Sequence, residues 1–326
     1  MALHGVSTVC DFFYLNESGN DNARAVIQAA KDVGLRIVLA RCFYDYAAAP
    51  PAFRETPAQA SANFVELHGA FQDDPQVQVC PAPHSLHGAS RPMLEAAVAA
   101  ARAVGTPWHM HLAEESYQVT DCLAAYGLRP IHALESFGVL GPDLVAIHGC
   151  WFDEGERALL RERGAALVHC PGSNMFLGDG VADLVDLRRR GLRVALGTDG
   201  GCSNSRVSVL DEARSAALLQ KVHRCDGQAI DAGSCLAMAT AGGGDVLGMP
   251  IGRLRPGDGA DVLALDLDDP SLWPEQSAAK NVVYAHSPRA ITDLFVGGRP
   301  VVRDRALCRV SLAEVGARVR ELTAGW

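Results

Sequence analysis

Short apolar runs alternate with longer amphipathic stretches along the first 200 residues. Each run is almost continuously apolar, as expected of strands that are buried on both faces of a parallel sheet. The pattern predicts seven strands, which cover residues 5–15, 36–43, 77–84, 107–114, 144–150, 166–174 and 193–200.

The stretches between the predicted strands have the spacing of amphipathic helices and are rich in Ala, Leu, Arg and Glu. Three of them end at a glycine that directly precedes the next strand, namely Gly34, Gly105 and Gly164. Glycine is favoured there because the residue that follows a helix often adopts a left-handed conformation. Seven strands that alternate with helices predict an α/β fold.

Polar residues stand at the ends of the predicted strands, where they distinguish a closed barrel from an open sheet. In a (β/α)₈ barrel the carboxyl ends of all strands converge on one mouth, whereas an open sheet binds its ligand at a switch point. No glycine-rich dinucleotide motif follows any strand, and we therefore predict a TIM-type barrel. The polar residues at strand ends are His84, Glu114, His148, Asn174 and Asp199.

The alternation of apolar runs and amphipathic stretches ends near residue 250. Short alternating strands and turn-rich segments follow, as in "IGRLRPGDGADVLALDLD" and "ITDLFVGGRPVVRDRAL". They predict a small β-appendage. We therefore expect a hydrolase barrel over residues 1–250, and a C-terminal β-appendage with a terminal helix over residues 251–326.

Charge and composition limit the partners that the chain can have. Its net charge of −9 argues against nucleic acid, which needs a basic surface. No apolar run reaches the roughly 18 residues that a membrane span needs. Ten cysteines are spread without a CxxC pair, as in reduced cytoplasmic proteins. We expect a cytoplasmic protein with a small-molecule substrate.

The segment "HMHLAEE" offers the richest chemistry. On a strand, His109 and His111 share one face, which in a barrel is the interior. His111 and Glu114 can then meet at the mouth. Imidazole holds a metal ion, and a carboxylate takes a proton from the water that the ion activates. The alternative is an ordinary polar strand end, in which these groups only satisfy one another.

Each of the other polar strand ends also has an ordinary explanation. His148 and His84 could be histidines bonded to backbone, and Asp199 could cap a turn. His169 lies within a predicted strand and fits packing or support of the site. The conjunction of four such groups on separate strands favours one polar site over four independent coincidences.

Several motifs together resemble the amidohydrolase superfamily, in its branch of hydrolytic deaminases and chlorohydrolases. That branch includes cytosine, guanine, 8-oxoguanine, pterin and S-adenosylhomocysteine deaminases and the triazine hydrolases. The C-terminal strands resemble those that complete the family's β-sandwich. The motifs are "HMHLAEE", "HGC", "VHCPGSNMFLGDG" and "GTDGGCSNSRVSVLDEAR".

The resemblance implies a divalent metal site, with one Zn²⁺ or alternatively Fe²⁺ per chain. It makes His111 and Asp199 metal ligands. His148 would steady the attacking water or the substrate, and in two-metal relatives the equivalent residue is a ligand. The family often forms dimers, so a homodimer is an open expectation.

The same resemblance assigns residues to catalysis and to substrate binding. Glu114, in the HxxE arrangement, would carry the proton, with His148 and Asp199 as its catalytic partners. His84 and Asn174 would bind substrate, the latter from loops formed by "PGSN" and "LGDG".

The family's first strand carries an HxH pair that this sequence does not show. We expect that strand upstream of "MALHGVSTVCDFF", and His4 does not replace it. The expected fold is therefore a barrel that lacks its first strand in this chain, with a partial β-sandwich. Zinc normally has three or four protein ligands, so metal affinity should be weak unless water or a neighbouring chain completes the site.

The function that the resemblance implies is a metal-dependent aminohydrolase. It would release ammonia from an amino-substituted N-heterocycle such as a purine, a pterin or a triazine. A formiminoglutamate-type deiminase or a chlorohydrolase on the same site is the alternative. A metal-free, non-catalytic binding protein that retains the fold is the alternative of another class.

Overall fold

A computed structural model describes residues 1–326. Seven parallel strands form the wall of a TIM-type barrel, as predicted. They are β1 (Thr8–Phe13), β2 (Arg36–Phe43), β3 (Val77–Pro83), β4 (Trp108–Leu112), β5 (Leu144–His148), β6 (Ala166–His169) and β7 (Arg193–Leu196).

The strands pair in chain order within two sheets. One sheet has the order β1-β2-β3 and the other the order β4-β5-β6-β7, and all neighbours are parallel. The backbone N–H of His111 donates to the carbonyl of His84 at 3.0 Å, which joins the end of β4 to the residue after β3. All seven carboxyl ends therefore face the same mouth.

Helices surround the strands, and glycines terminate several of them as predicted. Gly34 (φ 97°) and Gly105 (φ 75°) adopt the left-handed conformation before β2 and β4. The helices of the barrel are α1 (Asp21–Val33), α2 (Pro57–Phe71), α3 (Arg91–Val104), α4 (Ser116–Tyr126), α5 (Pro130–Ser136), α6 (Glu154–Glu162), α7 (Pro171–Leu177), α8 (Leu184–Arg189), α9 (Gly201–Asn204), α10 (Val209–Arg224), α11 (Ala232–Ala239) and α12 (Ala241–Leu247).

The core has two layers because residues along a strand alternate in direction. On β2, Ile37 and Leu39 pack in the apolar layer that includes residues of α1, α2 and α3. Val38 and Ala40 on the same strand join Cys80 and Leu247 in a separate apolar cluster. All eight residues of β2 are buried, which explains why its sequence is almost continuously apolar.

A four-stranded antiparallel sheet follows the barrel, as predicted from the turn-rich sequence. Its order is β11-β10-β9-β8. Ala2, next to the first residue of the sequence, packs in the apolar cluster of this sheet. The strands are β8 (Val262–Leu265), β9 (Ile291–Val296), β10 (Arg299–Arg303) and β11 (Ala306–Leu307).

Two further helices follow residue 250. Helix α13 (Ala278–Tyr284) places Val283 in the main apolar cluster of the barrel, so part of the C-terminal region packs on the barrel itself. Helix α14 (Leu312–Leu322) has no buried residue. The domain boundary at residue 250 stays a prediction. No helix combines the length and apolarity needed to cross a membrane.

The predicted strand over 166–174 is too long. Strand β6 ends at His169, and Asn174 lies inside α7 rather than at a strand end. Pro171 explains the difference, because its fixed φ and missing N–H suit the first turn of a helix. Strand β7 likewise ends at Leu196, three residues before Asp199.

Candidate active site

The ends of β4, β5 and β7 bring together three groups that can hold a metal ion. His111, His148 and Asp199 each offer one ligand atom, and these atoms lie within 4.8 Å of one another. Both histidines are buried, while Asp199 is partly exposed. Two imidazoles and a carboxylate are donors that suit Zn²⁺ and other divalent transition metals.

The backbone turns sharply at this site. Ala113 (φ 49°), His148 (φ 74°) and Asp199 (φ 57°) all adopt the left-handed conformation, although none is glycine. This conformation costs roughly 1–2 kcal/mol per non-glycine residue. Such outliers collect at functional sites, where the surrounding structure holds them in place.

The orientation of His111 fits a metal ligand. Its Nδ1 lies 3.0 Å from the carbonyl oxygen of His84, and a carbonyl can only accept. Nδ1 therefore carries the proton, and Nε2 presents a lone pair to the site. Burial lowers the pKa of His111, which keeps the ring neutral and able to bind a cation.

Two serine hydroxyls hold the carboxylate of Asp199. Ser173 on α7 donates to Oδ2 at 2.6 Å, and Ser203 on α9 donates to the same oxygen at 2.8 Å. Burial alone would raise the pKa of Asp199, but these hydrogen bonds and the nearby His148 outweigh it, and the net shift is downward. The group is ionised, as a metal ligand must be.

Glu114 stands beside the cluster at the start of the loop that leads to α4. Its Oε1 lies 3.3 Å from Nε2 of His148, and its backbone N–H donates to Gln118 at 3.0 Å. Burial, followed by the charges of Asp179 and Asp199, raises the pKa of Glu114 to about 8. A carboxyl with this pKa can both accept and release a proton near neutral pH.

A buried polar chain lies behind His148. The amide nitrogen of Asn174 is 2.9 Å from Nδ1 of His148 and 3.1 Å from Oδ2 of Asp179. The indole N–H of Trp151 donates to the backbone carbonyl of Asp179 at 2.6 Å. Burial lowers the pKa of His148 to about 3, so this imidazole is neutral.

Aromatic rings form one wall of the mouth. The ring of Tyr44 stacks on His84 with centroids 4.5 Å apart, and Tyr14 lies 5.6 Å from the same imidazole. Phe12 packs on His111 at 4.3 Å. Burial, followed by the neighbouring His111, lowers the pKa of His84 to about 2, so this wall is uncharged. This uncharged aromatic wall suits stacking with a flat substrate ring.

Two further buried histidines lie near the cluster without joining it. His109 shares its strand with His111, and its Nδ1 is 3.8 Å from Sγ of Cys10. His169, at the end of β6, is fully buried and neither ring nitrogen has a hydrogen-bond partner. Its predicted supporting role stays a prediction.

Four residues at the site were not singled out from the sequence. Ser173 and Ser203 bind Asp199, and Asp179 binds Asn174. Glu212 on α10 accepts from the backbone N–H of Gly172 at 2.7 Å and thereby secures the start of α7. The motifs "PGSN", "LGDG" and "GTDGGCSNSRVSVLDEAR" contain all four residues, but no local pattern shows that Glu212 bonds to Gly172, which lies 40 residues away.

The family match covers the barrel and most of the C-terminal sheet. The Amidohydrolase family matches residues 1–301. A 5-methylthioadenosine/S-adenosylhomocysteine deaminase from Syntrophobacter fumaroxidans is 35% identical over 323 residues, which are 98% of this chain and 71% of that protein. A 5'-deoxyadenosine deaminase from Methanobrevibacter smithii is 30% identical over 320 residues, 97% of this chain and 71% of that protein.

Solved structures share the architecture. An adenosine deaminase from Xanthomonas campestris with bound zinc matches with a TM-score of 0.93 at 30% identity, over 99% of this chain and 72% of that one. An atrazine chlorohydrolase from Arthrobacter aurescens with zinc has a TM-score of 0.92 at 23% identity, over 98% and 74% of the two chains, which shows the fold alone. The chain therefore belongs to the amidohydrolase family, in its branch of hydrolytic deaminases and chlorohydrolases, as its motifs predicted.

Proposed function

We propose that this chain is a divalent-metal-dependent aminohydrolase that releases ammonia from the adenine ring of an adenosine-type nucleoside. One observation carries the proposal, namely that His111, His148 and Asp199 converge within 4.8 Å. Glu114 lies beside them, 3.3 Å from His148. This arrangement supplies a cation site and a carboxyl for proton transfer at one place.

The metal would be held by His111 and Asp199. Nε2 of His111 is free because Nδ1 is bonded to the carbonyl of His84, and Asp199 is fixed by two serines. We propose one Zn²⁺ per chain, with Fe²⁺ as the alternative. When bound, such an ion lowers the pKa of water to about 7 and so supplies a nucleophile.

Glu114 would carry the proton during the reaction. It accepts one proton from the attacking water, whose oxygen bonds to the amino-bearing carbon, and delivers that proton to the adjacent ring nitrogen. The remaining hydroxyl proton passes to the amino nitrogen, the C–N bond breaks, and ammonia leaves behind a ring carbonyl. A positioned general acid–base group contributes roughly 10²–10⁴-fold to the rate.

The aromatic wall and the relatives support an adenine substrate. Tyr44 and His84 are already stacked on one another, so their uncharged surface can extend the stack to a flat ring. The relatives named above are a methylthioadenosine/S-adenosylhomocysteine deaminase, a 5'-deoxyadenosine deaminase and an adenosine deaminase. A small-molecule substrate of this kind needs neither nucleic acid nor a membrane surface.

Substitution of Glu114 tests the proposal. Glu114→Gln should lower kcat on an adenosine-type nucleoside by about 10²–10⁴-fold, because the amide cannot accept the proton. Glu115→Gln is the matched control, since Glu115 is the adjacent carboxylate and should leave kcat unchanged. Ammonia release and bound zinc are measured on the same samples.

The substrate class is tested by an ammonia-release screen with the Zn²⁺-supplemented protein. Adenosine, 5'-deoxyadenosine and methylthioadenosine should be turned over, in preference to aminopterins, aminotriazines and formimino-amino acids. Chloride release from a chlorotriazine without ammonia from any nucleoside would contradict the proposal. So would a Glu114→Gln variant that retains zinc and works within a few-fold of the parent.

A further inference from the structure

The two imidazoles of the cluster are oriented by opposite kinds of partner. Nδ1 of His111 faces the backbone carbonyl of His84 at 3.0 Å, and so Nδ1 must be the donor. Nδ1 of His148 faces the amide of Asn174 at 2.9 Å. An amide presents either an acceptor oxygen or a donor nitrogen, so the orientation of Asn174 decides which nitrogen of His148 carries the proton.

Asp179 fixes that orientation. Nδ2 of Asn174 lies 2.9 Å from His148 and 3.1 Å from Oδ2 of Asp179, so one amino group can donate one hydrogen to each. With the amide turned over, its oxygen would face the carboxylate of Asp179, and two acceptors would repel. All three residues are at most 5% exposed, so water cannot easily relieve that repulsion.

The orientation of Asn174 therefore also decides whether Nε2 of His148, the ring nitrogen near Glu114, carries a proton. Because Nδ1 of His148 accepts a hydrogen bond, the proton of the neutral ring is on Nε2. That atom has no hydrogen-bond partner in the structure and lies 3.3 Å from Glu114. A protonated nitrogen has no lone pair for a metal ion, but it can donate to a carboxylate, a water or a substrate.

We propose that Asn174 and Asp179 are a positioning pair that selects the Nε2–H tautomer of His148, and so fix for His148 the water- or substrate-steadying role that the resemblance implies, and not that of a metal ligand. His111, held by a carbonyl, has the opposite tautomer and binds the ion. This assignment refines the proposed function, on which it rests for the role of the donated hydrogen bond. It also gives Asn174 a positioning role in place of the substrate-binding role predicted from its motif.

A charge-conserving exchange tests the pair directly. In Asn174→Asp combined with Asp179→Asn, the new amide can donate to the new carboxylate, which then accepts from Nδ1–H of His148. The exchange reverses the donor-to-acceptor direction of these hydrogen bonds, while the shape and the net charge of the pair are kept. His148 should change to the Nδ1–H tautomer, and its Nε2 lone pair should turn toward the metal site.

The tautomers are measured on metal-free protein by ¹⁵N–¹H correlation spectra of histidine side chains, with His148→Ala to assign the signals. In the parent, His148 should show the Nε2–H pattern and His111 the Nδ1–H pattern. In the exchanged variant only His148 should invert, so that His111 is an internal control. An Nδ1–H pattern for His148 in the parent would overturn the proposal even if the variant fails to fold.

Zinc titration gives a second readout. His148→Ala should change the Zn²⁺ dissociation constant by less than about threefold, because the residue removed is not a ligand. The folded exchange variant should bind Zn²⁺ about tenfold or more tightly, because it gains one. A large loss of affinity in His148→Ala would overturn the proposal. If the tautomers are as stated but no nucleoside is deaminated, the proposed function fails and the positioning pair stands.

Discussion

The histidines at the mouth act as neutral groups. Burial lowers the pKa of His148 to about 3, and that of His84 to about 2 with help from His111. Neither ring carries a charge at neutral pH, so neither attracts an anionic substrate. Their contributions are a directed hydrogen bond and an uncharged stacking surface.

His84 should therefore affect substrate binding more than the chemical step. We expect His84→Ala to raise KM for an adenosine-type nucleoside by about tenfold, since a stacked ring contact contributes roughly 0.5–1.5 kcal/mol beyond its buried area. The value of kcat should change less. Steady-state kinetics of the zinc-loaded protein measure both, and a variant that loses kcat at unchanged KM would contradict this role.

The residues at the mouth were predictable from sequence, but their partners were not. His111, Glu114, His148 and Asp199 follow apolar runs, and parallel strands place such positions at one edge. The hydrogen bonds from Ser173 to Asp199 and from Asn174 to His148 span 26 residues each. Such contacts depend on how separate strands and helices are registered, which no local pattern encodes.

At the level of elements, α6 and α8 are joined by a charged network. Asp186 on α8 accepts from Arg157 on α6 at 2.8 Å and from Arg190 at 2.7 Å. Burial would raise the pKa of Asp186, but the guanidinium hydrogen bonds outweigh it and hold the pKa well below its usual range. The ionised carboxylate therefore stabilises the folded state.

The sign of this effect gives a pH prediction. Because the pKa is depressed on folding, the stabilisation is complete above the unfolded value of about 4 and is lost as pH falls through the folded value. Asp186→Asn should lower the free energy of unfolding at pH 7 by about 1–3 kcal/mol. It should also flatten the decline of stability between roughly pH 4 and pH 2.

Urea unfolding at a series of pH values measures this. Asp73→Asn is the control, because Asp73 is exposed and forms no ion pair in the structure. Parallel acid profiles for the parent and Asp186→Asn would show that the network does not stabilise the fold.

Element types were predicted more reliably than element ends. Most of the strands were identified because they are buried on both faces, as β2 shows, whereas in β1 only Phe13 is buried. The prediction that β6 extends through residue 174 was wrong. The segment "CPGSN" directly follows an apolar run, but Pro171 begins the first turn of α7. A proline after a strand was the available signal.

On the scale of the whole molecule, both ends of the sequence meet at the C-terminal sheet. Ala2 and Leu35 share an apolar cluster with Leu294 and Val301. Arg36 pairs with Asp261 at 2.5 Å, with both side chains at most 10% exposed. The sheet is therefore packed against the barrel. The change in sequence pattern after residue 250 did not predict this packing.

Helix α14 is the exception. Leu312, Val315, Val319 and Leu322 are all at least 44% exposed, and no residue of the helix is buried. Removal of residues 311–326 should change Tm by less than about 2 °C, because little apolar area is lost from the core. Differential scanning calorimetry measures this.

Removal of residues 291–326 is the contrasting deletion. It also takes away β9, β10 and β11 and uncovers Ala2 and Leu35, so that the chain should no longer unfold cooperatively. Equal Tm values for the two deletions would contradict this division of the C-terminal region.

The left-handed turns at Ala113, His148 and Asp199 have a practical consequence for protein engineering. Selection for heat resistance should readily recover glycine at these positions, since glycine adopts this conformation without steric penalty. At Ala113 the exchange removes only a methyl group, so the variant should gain thermal stability and keep its activity. At His148 and Asp199 the same exchange removes a side chain of the candidate active site, so the stabilised variants should be inactive.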